Sequence, residues 1–183
     1  MMTVPSLAPD VACPPHCEGL EEVCAAGVRD MAGALAFALV RLPHADRRPV
    51  LMALGRTWRS EHGRPYGPGL SSVGTGNRAS GLIVAHVAGE AEGLWVMEQA
   101  LRSGAVSAVL ATVEDATLAQ TRRLEFAARD GASAGILLRR TQGGLSAARR
   151  RWRITTLASF GATHDARAPG GFRLDAELTR SRQ

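Results

Sequence analysis

Six arginines fall within 15 residues in the last third of this 183-residue chain, and their side chains are suited to binding a phosphate backbone. The segment runs from Arg139 to Arg153, and no aspartate or glutamate occurs between Asp130 and Asp165. Guanidinium groups pair well with phosphate oxygens, and Gly143-Gly144 would let the segment bend around a nucleic-acid strand. We therefore predict DNA contact for these six arginines, with a solvated basic sheet edge as the alternative: Arg139, Arg140, Arg149, Arg150, Arg151 and Arg153.

One aromatic side chain, Trp152, lies inside this basic segment. An indole can stack on a nucleic-acid base. Its alternation with Ile154 instead favours packing into the protein core, and that is the interpretation we prefer.

A second possible phosphate site is the glycine-containing turn from Gly27 to Ala34. A phosphate-binding loop of the P-loop type needs two glycines five positions apart, then a lysine and a hydroxyl residue. Here Gly27 and Gly33 are one residue too far apart, Ala34 takes the lysine position, and the whole chain contains no lysine. The pattern argues against ATP hydrolysis, although a bare helix N-terminus could still bind phosphate.

The cysteines and an adjacent histidine suggest a metal site only superficially. Cys13, His16, Cys17 and Cys24 do not follow either usual paired zinc spacing, and no second cluster follows them. We predict free thiols, no metal and no cofactor. An odd number of cysteines, no long apolar run and no basic leader together predict a cytoplasmic protein.

Charge is divided unevenly along the chain. Residues 1–130 carry 12 arginines and 14 acidic residues, whereas residues 131–183 carry 10 arginines and 3 acidic residues. This division suggests a phosphate-rich or acidic partner for the C-terminal third.

Alternating strands and helices predict one α/β domain. Five short apolar runs are typical of strands buried on both faces of a parallel sheet: Leu20–Ala25, Val50–Leu54, Leu82–Val87, Ala105–Ala111 and Gly135–Leu138. Three helices separate them, one capped by Asp30 and ended by Pro43, one from Glu90 to Arg102, and one from Thr117 to Arg129. Two later segments alternate polar and apolar residues and predict antiparallel strands at the sheet edge: Arg149–Leu157 and Gly171–Leu178.

The remaining segments are predicted to be irregular. Residues 1–19 are expected to form a flexible arm, and residues 20–183 a single domain. Gly55–Asn77 is expected to be a loop, within which Arg64–Leu70 is either an interface or a plain surface loop.

Several segments in consistent order carry a family resemblance over roughly residues 20 to 180. They are Arg64–Leu70, Leu94–Glu98, Leu101–Ala105, Thr121–Leu124, Ser146–Arg153 and Leu174–Arg180. The chain resembles the RecA ATPase core, and more closely the ImuA family of RecA-like accessory proteins in damage-inducible mutagenesis. The resemblance implies a doubly wound, mostly parallel RecA-like sheet with helices on both faces and antiparallel strands at its C-terminal edge. Family members usually continue somewhat beyond the position of Gln183.

The same resemblance implies that the ATPase residues are missing. The RecA positions for the magnesium-associated aspartate, the catalytic glutamate and the fifth-strand glutamine fall on or near Thr112, Arg56 and Arg140. In RecA-like proteins the loop after the fifth strand faces DNA, and here that loop is the arginine-rich segment.

Three functions remain open on these grounds. The resemblance implies a non-catalytic adaptor in error-prone translesion synthesis, working with an ImuB-type Y-family polymerase homologue and a second DnaE-type polymerase. The alternative is a protein-only regulator like the SulA-type division inhibitors, which are also degenerate RecA-like domains. The third is a cryptic nucleotide-binding enzyme that uses Glu114 or Asp115.

Overall fold

The computed structural model describes residues 16–43, 45–66, 70, 81–162, 164–165, 167–168 and 170–182. In this part of the chain a seven-stranded sheet carries helices on both faces. The strands are β1 Leu20–Ala25, β2 Val50–Gly55, β3 Leu82–Val87, β4 Ala108–Thr112, β5 Ala134–Arg139, β6 Arg150–Leu157 and β7 Arg173–Ser181. The helices are α1 Met31–Val40, α2 Arg56–His62, α3 Glu90–Ser103 and α4 Leu118–Asp130.

The strand order is β3-β2-β4-β5-β1-β6-β7, which places the N-terminal strand inside the sheet. All neighbouring pairs are parallel except β6 with β7, so the predicted α/β class with an antiparallel C-terminal edge is confirmed. Only β7 is antiparallel to its neighbour, whereas we expected both late strands to be antiparallel additions. Strand β6 instead lies parallel to β1. The connection from β5 to β6 passes β1 and returns the chain to the same end of the sheet, so β5, β1 and β6 all run in one direction.

Side chains of alternate strand residues enter two separate apolar cores. In β4, Ala108 and Leu110 pack into the core beneath α1, and Val109 and Ala111 into the core beneath α3 and α4. This alternation follows from the two-residue period of a strand. Burial on both faces explains why β2, β4 and β5 are apolar runs in the sequence. Strand β3 was also predicted to be buried, but it lies at the sheet edge and most of its residues are exposed or half-buried.

Helix ends follow the sequence signals unevenly. Gly104 ends α3 in the left-handed conformation, with φ of 64°, as its position after Arg102 predicts. Thr117 forms a capping box with Gln120 at the start of α4. Asp30 does not cap α1 as predicted, because a 3-10 turn at Val28–Asp30 already holds it in helical conformation. Its carboxylate accepts instead from the Thr156 amide at 2.8 Å.

Two segments expected to be irregular contain ordered structure. Helix α2 lies within the predicted Gly55–Asn77 loop, of which residues 67–69 and 71–77 fall outside the described residues. The predicted arm also falls mostly outside them, at residues 1–15. Within its last residues, the Cys17 amide donates to the Arg41 carbonyl at 2.6 Å, so the ordered fold includes Cys17.

Helices α3 and α4 approach each other closely at their C-terminal ends. A Cβ atom at Gly131 would lie 1.8 Å from the Leu101 carbonyl oxygen, a rigid backbone atom. Glycine at this position therefore permits the contact between the two helices.

We predict that Gly131→Ala destabilises the protein by about 3 kcal/mol, at the upper end of the usual cost of overpacking. Gly144→Ala is the matched control, because nothing lies within 4 Å of a Cβ atom there. Urea denaturation of both variants measures the difference, and equal stability would contradict the close approach.

Candidate nucleic-acid interface

Two adjacent glutamates, Glu21 and Glu22, occupy the buried strand β1, and both have 0% exposure. Strand β1 lies between β5 and β6. Successive strand residues point to opposite faces of a sheet, so the two carboxylates must be neutralised separately. Burying a carboxylate without a partner is very costly, so each of them requires a cationic neighbour.

On one face, Glu21 accepts from three side chains. Its carboxylate oxygens lie 2.7 Å from Arg41 Nη2, 2.8 Å from Arg150 Nη1 and 2.9 Å from the Trp152 indole nitrogen. Arg150 is one of the six arginines predicted to contact DNA. Its side chain is only 14% exposed, so in this structure it belongs mainly to the interior.

On the other face, Glu22 accepts from Arg139 Nη1 at 2.9 Å and from Arg151 Nε at 2.5 Å. Arg139 also donates to the Glu114 carbonyl oxygen. Arg151 donates to the carbonyl oxygens of Gly143 and Gly144 at 2.8 and 2.9 Å. These bonds fix the glycine turn against the sheet, instead of leaving it free to fold around a nucleic-acid strand.

The structure thus separates the six predicted DNA-contacting arginines into two groups. Arg139, Arg150 and Arg151 are directed inward, with side-chain exposures of 3%, 14% and 12%. Their donors are directed to buried carboxylates in this structure, whereas DNA contact was predicted for all six arginines, and that contact stays a prediction. Arg140, Arg149 and Arg153 have side chains that are 41%, 45% and 51% exposed.

The exposed arginines retain partners, and they lie at different levels of the sheet. Arg140 Nε donates to Glu114 at 2.9 Å, and Arg153 lies 3.8 Å from Glu177. Arg149 donates to Glu125 at 2.6 Å, and this hydrogen bond raises the pKa of Arg149. Arg149 bonds to the backbone at the start of β1, whereas Arg153 pairs with Cys24 near its end. A ligand that contacts all three must extend along the strand direction.

Trp152 is buried, as preferred from the sequence. It is 2% exposed, its ring centroid lies 5.2 Å from that of Phe37, and the Arg41 guanidinium lies 5.2 Å from its ring centroid. It is therefore not accessible for stacking on a base.

Sequence reasoning did not identify Glu21 and Glu22 as partners of the basic segment. The available signal was a pair of acidic residues inside an otherwise apolar strand, since buried charges require partners. Adjacent strand side chains point to opposite faces, so arginine side chains must reach these carboxylates on both faces of the sheet. The excess of arginine after residue 130 was the obvious source.

The cleft where the carboxyl ends of β2 and β4 meet α2 is where open α/β sheets bind ligands. Its volume is about 100 Å³, and its lining includes Thr112, Glu114 and Arg140. Most ligand pockets are larger, at roughly 300–1,000 Å³. The Glu114 carboxylate, a candidate for the enzymatic alternative, already accepts from the Arg140 side chain and amide.

The thiols that the structure describes, Cys17 and Cys24, are buried. Cys17 Sγ lies 3.6 Å from the Gly19 and Gly135 carbonyl oxygens. Burial raises the pKa of Cys17 and raises that of Cys24 to about 11. Among the described residues, no group of three or more histidine, cysteine or acidic side chains is arranged to bind a metal ion. Cys13 lies outside those residues.

The chain is 32% identical to the ImuA proteins of two Caulobacter vibrioides strains over 157 residues, which is 84% of this chain and 62% of the relatives. The chain is an ImuA homologue. The chain spans about three fifths of the length of these curated ImuA proteins. No family model matches the chain.

The chain also resembles SulA proteins. The cell division inhibitor SulA of Edwardsiella piscicida is 36% identical over 105 residues, which is 55% of this chain and 61% of that protein. The crystal structure of SulA from Pseudomonas aeruginosa superposes with a TM-score of 0.51 at 21% identity. That superposition covers 67% of this chain and 98% of SulA, and it shows a shared fold.

We predict that Glu22→Gln lowers the free energy of unfolding by about 3 to 5 kcal/mol, the usual cost of breaking a buried ion pair. It leaves the buried Arg139 guanidinium without a carboxylate. Glu177→Gln is the matched control, since its carboxylate is 60% exposed and lies 3.8 Å from Arg153. Chemical denaturation should show little change for the control, and similar effects in both variants would contradict the assignment.

A second prediction concerns the buried thiols in a Cys13→Ser background. Because the folded pKa values lie above the unfolded value of 9.0, thiol burial stabilises the fold below about pH 9. That stability is lost as the pH rises from 9 through 11. Alkylation by iodoacetamide near pH 8 should be slow in the native protein and rapid in urea. Rapid labelling of the native protein would contradict the burial.

Proposed function

We propose that this protein is a non-catalytic adaptor in DNA-damage-inducible, error-prone translesion synthesis. The observation that carries the proposal is the ImuA homology along 84% of the chain. The turn that would hold a nucleotide phosphate has Ala34 in place of the required lysine. Such a protein works by binding. None of the helices in the described residues has the length and apolar character of a membrane span. We propose a cytoplasmic location on the same ground as the adaptor function, the ImuA homology.

The partners we propose follow from the ImuA resemblance. They are an ImuB-type Y-family polymerase homologue and a second DnaE-type polymerase. An adaptor for two polymerases needs more than one binding surface. Arg139, Arg150 and Arg151 support the fold, so we propose that the contacts lie elsewhere on the chain.

We propose direct DNA contact only for the three exposed arginines of the basic segment. Arg149 and Arg153 each pair with one carboxylate, and Arg140 pairs with two, those of Glu114 and Glu61. Each of the three guanidinium groups retains donors that these carboxylates do not occupy. They lie at different levels of β6 and its neighbours, as a contact along an extended single strand requires. Phosphate contacts would supply affinity without sequence preference.

The DNA proposal predicts weak, salt-dependent binding to single-stranded DNA, with a Kd of about 10⁻⁴ to 10⁻⁶ M at physiological salt. Replacing Arg140, Arg149 and Arg153 together by alanine should weaken binding and flatten the slope of log K against log salt by about 2 units, since each phosphate contact contributes about 0.7. A matched triple variant removes the same charge at exposed arginines outside the segment: Arg29, Arg59 and Arg167.

Equal effects in the two triple variants, or no binding by the wild-type protein at low salt, would overturn the DNA contact. Both variants avoid the arginines that neutralise Glu21 and Glu22. Charge reversal at Arg149, Arg150 and Arg151 together would not separate these roles, because it would also disrupt the core.

The adaptor function itself is tested in cells. Deleting the gene should reduce the frequency of damage-induced mutations to the undamaged level, and the intact gene should restore it. The Glu177→Gln variant serves as a folded control for complementation. An unchanged mutation frequency in the deletion strain would contradict the proposal.

A second candidate function is regulation of cell division through protein contacts alone, as the name of the SulA relatives suggests. It is favoured by the identity of 36% to a SulA protein over 105 residues. Controlled overexpression separates the two: a division inhibitor produces filamentous cells and binds a tubulin-like protein, whereas the adaptor alters mutation frequency. The ImuA match covers more of the chain, 84% against 55%, and we therefore favour the adaptor.

A further inference from the structure

The outer surfaces of α3 and α4 form an apolar groove that neither the buried ion pairs nor the basic segment uses. Its volume is about 240 Å³. It is lined by Ala91, Leu94, Trp95, Glu98, Gln120, Arg123 and Leu124. All of these residues belong to helices that pack together on one face of the sheet.

The main wall of the groove is an exposed tryptophan. Trp95 is 60% exposed. It is one of three tryptophans in the chain, and another of them, Trp152, is buried. Leu94 and Leu124 form an apolar floor beside it, with exposures of 7% and 1%. Tryptophan and arginine are the residue types that most often dominate the energy of a protein interface.

The charged side chains of the groove differ in how accessible they are to a binding partner. Glu98 has a side chain that is only 7% exposed, and it accepts from Arg102 Nη2 at 2.9 Å and Arg123 Nη2 at 2.6 Å. Each of its two carboxylate oxygens thus accepts from one arginine, and burial shields the group from a partner. The Arg123 side chain is 64% exposed and uses one of its nitrogens on Glu98, so it presents free donors at the rim.

The surface around the groove adds to this excess of accessible positive charge over accessible negative charge. Arg122 is exposed and has no hydrogen-bond acceptor within the described part of the chain, and Arg129 stacks on Phe126 at 5.0 Å. Two nearby carboxylates are engaged internally: Glu92 accepts from the Ala88 amide and Glu125 from the Leu20 amide. A carboxylate supplied by a partner would complement the free donors of Arg123, whereas Arg122 and Arg129 add only to the positive potential around the groove.

We infer that this groove docks a protein segment that inserts an apolar side chain beside Trp95 and places a carboxylate against Arg123. The inference rests on the proposed adaptor function, for which it supplies one partner surface. A recess with an apolar floor fits a single side chain better than a series of stacked bases. The charged rim then selects acidic segments over basic ones.

Selection from a random peptide library displayed on phage tests the inference with the full-length protein. The expected enrichment is for peptides that carry a leucine or aromatic residue next to aspartate or glutamate. Synthetic versions of these peptides should bind at least about tenfold more weakly to Trp95→Ala and several-fold more weakly to Arg123→Gln, as expected for an anchor and a rim contact. Replacing the acidic residues of the peptide by lysine should abolish binding.

Matched controls lie on the same helix surface. Phe126→Ala removes another exposed aromatic side chain, which is 51% exposed and lies outside the groove, and Arg122→Gln removes a neighbouring charge. Neither should change peptide affinity more than about twofold. All four positions are exposed, so circular dichroism should show that every variant folds.

Three results would overturn the inference. The first is no enrichment of acidic apolar peptides, and the second is equal loss in Trp95→Ala and Phe126→Ala. The third is a Trp95→Ala effect on single-stranded DNA binding or on self-association, without an effect on peptides. These outcomes are independent of the mutation-frequency test, so failure of the groove and failure of the adaptor function are distinguishable.

Discussion

The requirement to neutralise two adjacent buried carboxylates constrains this fold more than any other interaction. Glu21 and Glu22 point to opposite faces of β1, and each is bonded to two arginines. The arginines from β6 lie 129 positions away in sequence. The ion pairs therefore join the N-terminal strand to the C-terminal third of the chain. Removing either side leaves an uncompensated buried charge, which costs far more than losing a surface pair.

This constraint explains why acidic and basic residues are distributed unevenly along the sequence. The acidic first part and the basic last part lie against each other in the folded protein. Glu21, Glu22, Glu114 and Glu125 accept from arginines of the segment 139–153. Much of the positive charge that suggested an external phosphate partner is thus matched internally. The positive charge that remains for external contact is smaller, and it is spread along the strands.

The sequence predicted the elements of the fold well, because their signals are local. Apolar runs identified β1 to β5, and Gly104 marked the end of α3. Helix α2 was missed because it lacks a side-chain cap and follows a glycine within a segment rich in turn residues. The parallel pairing of β6 with β1 was also missed, because it depends on a contact across the whole chain rather than on local alternation.

The candidate site was predicted less well, for a related physical reason. Sequence spacing places six arginines together, yet it does not show where each guanidinium group points. Arg150 and Arg151 are adjacent, so they reach opposite faces of the sheet and bind different glutamates. The groove beside Trp95 has no sequence signature either, since it exists only where α3 and α4 meet. In this protein the arginine-rich segment supports the fold, and the side chains left exposed are the ones for which we propose external contacts.

A double-mutant cycle between Glu22 and Arg151 tests the central claim most directly. The unfolding free energies of Glu22→Gln, Arg151→Gln and the double variant would be measured against the wild-type protein. If the basic segment is held by the buried carboxylates, the two changes are coupled by about 1.5 to 3 kcal/mol, in the upper part of the range for residues in contact. Additive effects, within about 0.5 kcal/mol, would contradict the account and return these arginines to the surface.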